Sequence, residues 1–150
     1  MPACFAKTTT STAEAMDPLS ITTACVALLG VIGKTSHAIA SFVRTCSEAR
    51  DDLAAVSREL SALCAVLGLL IEDATSTDAT LPAAFQKHIL VLVDNCSDVI
   101  NQIARVLENH GGRTGPARWA SDGNDEVKEL RVLLEIHKGS LSLALELANL

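Results

Sequence analysis

The stretch LAAVSRELSALCAVLGLL, residues 53–70, decides the fold of this chain. Its large aliphatic residues are separated by three and four positions in turn, a spacing that repeats on one side of an α-helix. The charged residues between Asp51 and Glu59 fall on the other sides of that helix. The pattern therefore predicts an amphipathic helix whose buried face consists of Leu53, Val56, Leu60, Leu63, Leu67 and Leu70.

A helix is also predicted before this stretch and another after it. The earlier one begins at Asp17-Pro18, an N-cap residue followed by a proline in the first turn, and continues to about Cys46. Gly30 and Gly33 are weak points at which it is expected to bend. The later helix follows a polar connection, residues 72–82, and has an apolar face of Phe85, Ile89, Leu92, Cys96, Val99, Ile103 and Val106.

The region 110–125, HGGRTGPARWASDGND, predicts a loop because Gly, Asp and Asn favour turns. We expect its only tryptophan, Trp119, to dock on the helices. A last helix is predicted from about Asp125, with one side formed by Leu130, Leu134, His137, Leu141, Leu145 and Ala148. The sequence thus predicts an all-α fold, an antiparallel bundle of four or more helices.

Composition agrees with this fold and excludes one class of function. The chain has 150 residues, 49% of them hydrophobic and only 3% aromatic, which favours one domain of helices packed by aliphatic side chains. Its net charge of −6 argues against nucleic acid as a partner, because such binding needs clustered Lys and Arg.

The residues that carry chemistry elsewhere lack the required spacing here. The chain has five cysteines and no CxxC pair, and we expect Cys25, Cys64 and Cys96 to act as small core residues in a reducing compartment. The four histidines lack the His/Glu spacing of zinc enzymes, and no GxSxG motif is present. We therefore expect no enzymatic activity, no catalytic residue, no cofactor, no metal ligand and no small-molecule substrate.

The uncharged run 18–33 permits four interpretations. A phosphate loop ending in Gly33-Lys34 would need a glycine at position 28, which is Leu28. A signal peptide is disfavoured because the apolar pattern continues beyond the candidate cleavage site at Ala40. A membrane span is marginal, because sixteen helical residues reach about 24 Å against a hydrocarbon core of about 30 Å. The fourth interpretation, the first helix of a bundle, fits best.

Four segments, in this order, resemble one known family. They are MDPLSITTACVALLGVIGK (16–34), SRELSALCAVLGLL (57–70), RWAS (118–121) and ELRVLLEIHKGSLSLALEL (129–147). Together they are similar to the fungal N-terminal domains of STAND-type, NLR-like proteins, the HeLo-like group of helical domains. The resemblance covers nearly all of residues 16–150, the expected domain. Residues 1–15 lack periodicity and are rich in Thr and Ala, so we expect them to be a disordered leader or extra residues before an alternative start at Met16.

The resemblance implies a non-enzymatic cell-death or signalling module of a fungal immune or incompatibility system. Such a domain is cytoplasmic, oligomerises on activation, relocates to the plasma membrane and permeabilises it through the first helix. Its partners would be copies of itself, membrane lipid, and downstream NLR or repeat domains or a separate partner protein. The inserting and oligomerising residues would be Leu19, Ile21, Val26, Leu28, Leu29, Gly30, Val31, Ile32 and Gly33. The alternative is a soluble helical adaptor that acts only by protein–protein interaction.

Overall fold

In a computed structural model, the fold is a bundle of four long helices, and no strand occurs among residues 18–75, 81–111 and 115–149, which the structure describes. The helices are α1 (Pro18–Thr45), α2 (Arg50–Thr75), α3 (Ala83–Asn109) and α4 (Asn124–Ala148). A 3₁₀ turn, Ser47–Ala49, joins α1 to α2. The predicted leader, the Asp17 cap and most of the polar connection before α3 lie outside the described residues.

The core contains the apolar faces that the periodicity predicted. All six predicted residues of α2 are buried, and α3 buries its predicted set except Phe85, which is half-buried. On α4, Leu130, Leu134 and Leu141 are buried, whereas His137, Leu145 and Ala148 lie at the boundary. The all-α prediction is confirmed.

The four helices form a ring in which α1 packs against α2 and α3, and α4 packs against the same two helices. The chain therefore crosses the bundle diagonally between α2 and α3. The first part of α1, residues 24–31, lines a groove with residues 90–97 of α3, and residues 31–38 line another with residues 98–108. Helices α1 and α3 are thus parallel neighbours, although helices consecutive in the chain run antiparallel.

The prediction of a loop over residues 110–125 is wrong for most of its length. A helical turn, Gly115–Arg118, continues into a π-helical turn, Trp119–Gly123, and then directly into α4. Trp119 is only 1% exposed, as the expected docking requires. The glycines and the proline of this segment disfavour a helical conformation. Burial of the Trp119 ring offsets that tendency, because a large ring gains much free energy on leaving water.

Glycine is required at position 123 by the close approach of two rings. A Cβ at this position would lie 2.7 Å from Cε3 of Trp119 and 3.3 Å from Cγ of His110. His110 is itself buried, and its Nε2 lies 3.1 Å from Oε1 of Glu126. These contacts connect the end of α3 to the start of α4.

Candidate functional site: the first helix

One face of α1 is committed to the bundle core along its whole length. Its buried positions recur at alternating spacings of four and three residues, as a straight core-facing stripe requires. Their exposed fractions do not exceed 7%. They are Ile21, Cys25, Leu28, Ile32, Thr35, Ile39 and Phe42, and the stripe continues to Cys46 just beyond the helix.

The nine residues nominated from sequence do not share one surface. Ile21, Leu28 and Ile32 belong to the core stripe. Leu29 and Val31 are half-buried, whereas Val26, Gly30 and Gly33 are exposed, Val26 by 54%. The side chain of Leu19 lies outside the described part of the chain. A membrane-facing role for the whole set therefore requires α1 to leave its place in the bundle.

The two glycines of α1 serve no packing function in this bundle. A Cβ built on Gly30 or on Gly33 meets no other atom within 4 Å. Glycine in a helix interior nevertheless lowers stability by about 1 kcal/mol relative to alanine. The helix is also continuous through both positions. Neither a close contact nor an interruption of the helix thus explains why glycine occupies them.

The C-terminal end of α1 is held by Trp119. The ring centroids of Phe42 and Trp119 are 5.3 Å apart with an interplanar angle of 52°, a tilted arrangement that aromatic pairs favour. The indole Nε1 donates a hydrogen bond of 3.3 Å to Oδ2 of Asp52 at the start of α2. This contact joins the end of α1, the start of α2 and the segment before α4.

A groove of about 490 Å³ lies between α1 and α3. Its charged rim residues are Lys34 and Arg105, which are cationic, and Asp98 and Glu108, which are anionic. The two signs balance, so the rim offers no field that would select an anionic or a cationic ligand. The groove does not define a ligand site.

The thiols of the core are not poised for nucleophilic chemistry. Burial raises the pKa of Cys25 to about 11 and that of Cys96 to about 12, so both remain protonated near neutral pH. Cys64 is half-buried, and burial also raises its pKa. Among the side chains that the structure describes, no group of three or more His, Cys, Asp or Glu could hold a metal ion.

Among the residues that the structure describes, two helical stretches are long and apolar enough to cross a bilayer, Ser20–Thr45 and Ser47–Thr75. The second was not anticipated from sequence, because its alternation of charged and aliphatic residues near residue 58 indicated an ordinary amphipathic helix. Length and hydropathy do not separate a membrane helix from a core helix, since core helices of soluble proteins pass the same test. The physical difference between the two stretches is that only α1 contains an uncharged run of sixteen residues from its first position.

Comparison with known proteins gives one match. Residues 16–150 match the family described as "Pigment biosynthesis cluster protein PigL N-terminal". No curated protein matches the chain, and no solved structure does.

Proposed function

Because the chain belongs to the PigL N-terminal family, in agreement with its resemblance to fungal HeLo-like domains, we propose that it is a non-enzymatic cell-death or signalling domain. In this proposal the domain is cytoplasmic until an NLR-like or other sensor clusters it. It then oligomerises at the plasma membrane and permeabilises the membrane through α1. A helical domain of this family is consistent with a signalling module.

The observation that carries the proposal is the composition of α1 over residues 18–33. This run has no charged residue, and it contains two glycines that the bundle does not need. In lipid, glycines allow helix backbones to approach closely, and such small residues are enriched where transmembrane helices associate. Features that are unexplained in the soluble bundle thus have a physical use in a membrane assembly.

The burial free energy of the α1 stripe requires that lipid is present when α1 leaves the core. Leaving the core exposes the large side chains of the α1 stripe, and each loses roughly 1.5–3 kcal/mol of burial free energy in water. Five such side chains, Ile21, Leu28, Ile32, Ile39 and Phe42, amount to roughly 8–15 kcal/mol, comparable to the whole stability of a domain. Transfer of the same surface to hydrocarbon offsets that loss, so α1 is released at a membrane and not in water.

The test is dye leakage from liposomes after forced clustering of the domain. Val26→Glu places a charge on an exposed site of α1, and Val91→Glu places one on an equally exposed site of α3. Both variants should fold, because neither side chain belongs to the core. We expect Val26→Glu to abolish leakage and Val91→Glu to leave it near the wild-type level. Equal leakage from both variants, or none from the clustered wild type, would contradict the proposal.

The second candidate function is a soluble adaptor that binds only other proteins. It is favoured by the complete burial of the α1 stripe, since a helix so engaged is an ordinary core helix. Flotation of the clustered protein with liposomes separates the two functions. An adaptor stays at the bottom of the gradient, whereas the membrane-active domain floats with lipid.

A further inference from the structure

The outer face of α4 carries most of the exposed large apolar side chains of this bundle. Eight such residues are exposed in the described part of the chain, and α1, α2 and α3 contribute one each. The remaining five, exposed by 43–56%, are on α4 and are Val132, Leu133, Ile136, Leu143 and Leu147. A concentration of this kind on one helix marks an interaction surface, whereas scattered apolar residues do not.

These five residues form one stripe. At 100° per residue they fall within an arc of roughly 100°, which Gly139 borders and which, between Val132 and Leu147, only Ser140 shares with them. Nearer the start of α4, Asp125 and Glu129 lie in the same arc. No charged residue interrupts the stripe from Val132 to Leu147, a length of about 22 Å. The core face of α4, which contains Leu134 and Leu141, lies well outside this arc.

Four of the five stripe residues are placed symmetrically about the midpoint between Gly139 and Ser140, and Leu133 is the exception. Val132 and Leu147 are equally far from that midpoint, and so are Ile136 and Leu143. In an antiparallel arrangement of two copies of α4, each of these residues faces its symmetric counterpart, because a twofold interface pairs i with j and j with i. A Cβ on Gly139 would meet no atom of its own chain within 4 Å, so this position leaves room for a close crossing of backbones.

We propose that this α4 stripe is a self-association surface that binds a second copy of the chain, with the two α4 helices antiparallel and crossing at Gly139. In that register Val132 contacts Leu147 of the second copy, and Ile136 contacts Leu143. The proposal does not depend on the entry of α1 into lipid, since α4 lies diagonally across the ring from α1.

The size of the stripe sets the strength of the dimer. A half-exposed aliphatic side chain offers on the order of 50 Å² of further burial, so five offer about 250 Å² per copy. Stable interfaces bury about 800 Å² per partner. The α4 dimer is therefore weak, and it forms when the local concentration is high, as it is when copies are tethered together.

The charges beside the stripe give the dimer a distinctive salt dependence. Glu135 and Glu146 flank the stripe on the same side, so the antiparallel register brings Glu135 of one copy towards Glu146 of the other. Asp125, Glu126 and Glu129 add negative charge at the N-terminal end, where Lys128 is the only exposed cation of α4. Salt screens this repulsion, so the dimer strengthens as the salt concentration rises. A basic helix bound to the same stripe would show the opposite dependence.

The first experiment is sedimentation equilibrium of the full chain from micromolar to millimolar concentration, at low and high salt. We expect a monomer at low concentration and a dimer at high concentration, with the dimer favoured severalfold by salt. Ile136→Glu and Leu143→Glu should remain monomeric throughout, and Val91→Glu on α3 should dimerise like the wild type. All three positions are about half exposed, so folding is retained and can be checked by circular dichroism. A monomeric wild type, or dimers of Ile136→Glu, would overturn the proposal.

The second experiment tests the register by disulfide cross-linking. In a background in which Cys4 and Cys64 are replaced by Ser, Val132→Cys and Leu147→Cys are prepared separately and oxidised mildly. A mixture of the two should form a disulfide-linked dimer, and neither should do so alone. Cross-linking of Val132→Cys to itself would show a parallel arrangement and would overturn the antiparallel register.

Discussion

Replacing Gly30 and Gly33 by alanine should stabilise the bundle and weaken the proposed permeabilisation of membranes. Neither new Cβ meets an atom within 4 Å, so the substitutions cause no steric strain. Each should contribute about 1 kcal/mol through helix propensity, or about 2 kcal/mol for the double variant. For a domain of this size, that gain corresponds to a rise in Tm of about 4–8 °C.

The effect on membranes has a different cause. Helix propensity is the same in the bundle and in a membrane-inserted α1, because the segment is helical in both, so the propensity gain cancels between them. What remains is the added methyl group at the contact between inserted helices. A loss of about 1 kcal/mol per contact lowers an assembly equilibrium about fivefold.

Gly68→Ala on α2 is the matched control. Its Cβ also meets nothing within 4 Å, so it should raise Tm by a similar amount per residue. Because it lies outside α1, leakage should stay at the wild-type level. The assays are thermal melting by circular dichroism and dye leakage from liposomes after clustering. Unchanged leakage from the Gly30→Ala/Gly33→Ala protein would refute the argument that these glycines act in lipid, and an unchanged Tm would refute the argument that the bundle does not need them.

Two further predictions concern the core. Gly123→Ala should lower the free energy of unfolding by about 1–3 kcal/mol, measured by guanidinium titration. The reason is that the new Cβ would lie 2.7 Å from Cε3 of the buried Trp119. A variant as stable as the wild type would show that the ring can move aside. The free energy of unfolding should also fall as pH rises from about 9 towards 11. In the folded state, burial raises the pKa of Cys25 to about 11 and that of Cys96 to about 12, whereas the thiols of the unfolded chain ionise near the ordinary pKa of 9.0. The unfolded chain therefore loses thiol protons first, which favours unfolding in this pH range. Melting at about pH 8 and about pH 10 tests this, and the Cys25→Ala/Cys96→Ala variant should lose less stability over that range, even if it starts lower.

The helices and their buried faces were predictable because apolar residues spaced by three and four positions lie on the side of a helix that faces the core. The aliphatic stripe of α2 is buried at every predicted position, and α1 ends at Thr45, one residue before the expected limit. The helical segment from Gly115 was missed because local composition favours turns there, and only the tertiary docking of Trp119 outweighs it. The diagonal order of the helices was also missed, since a stripe tells which side of a helix is buried and not which helix covers it.

The exposure of the nominated α1 residues was predicted less well than the fold. The uncharged run of α1 led to nine nominated residues as one set, because hydrophobicity alone does not separate a core position such as Leu28 from an exposed one such as Val26. The alternation of spacings through Ile21, Leu28 and Ile32 does separate them, and it was available in the sequence. The exposed α4 stripe was missed because only the spacing of the core-facing residues of this helix was considered, and a helix can have a second apolar face.

The ring arrangement of the helices determines which contacts among α2, α3 and α4 would remain if α1 left the bundle, as proposed. Because α4 touches both α2 and α3, removing α1 opens the ring without dividing it, and three helices stay connected. Since α1 precedes the other three along the chain and is joined to them only through Ser47–Ala49, it can swing out without threading past any of them. In the proposed function, release of α1 would therefore uncover the inward faces of α2 and α3 and leave these two helices joined through α4.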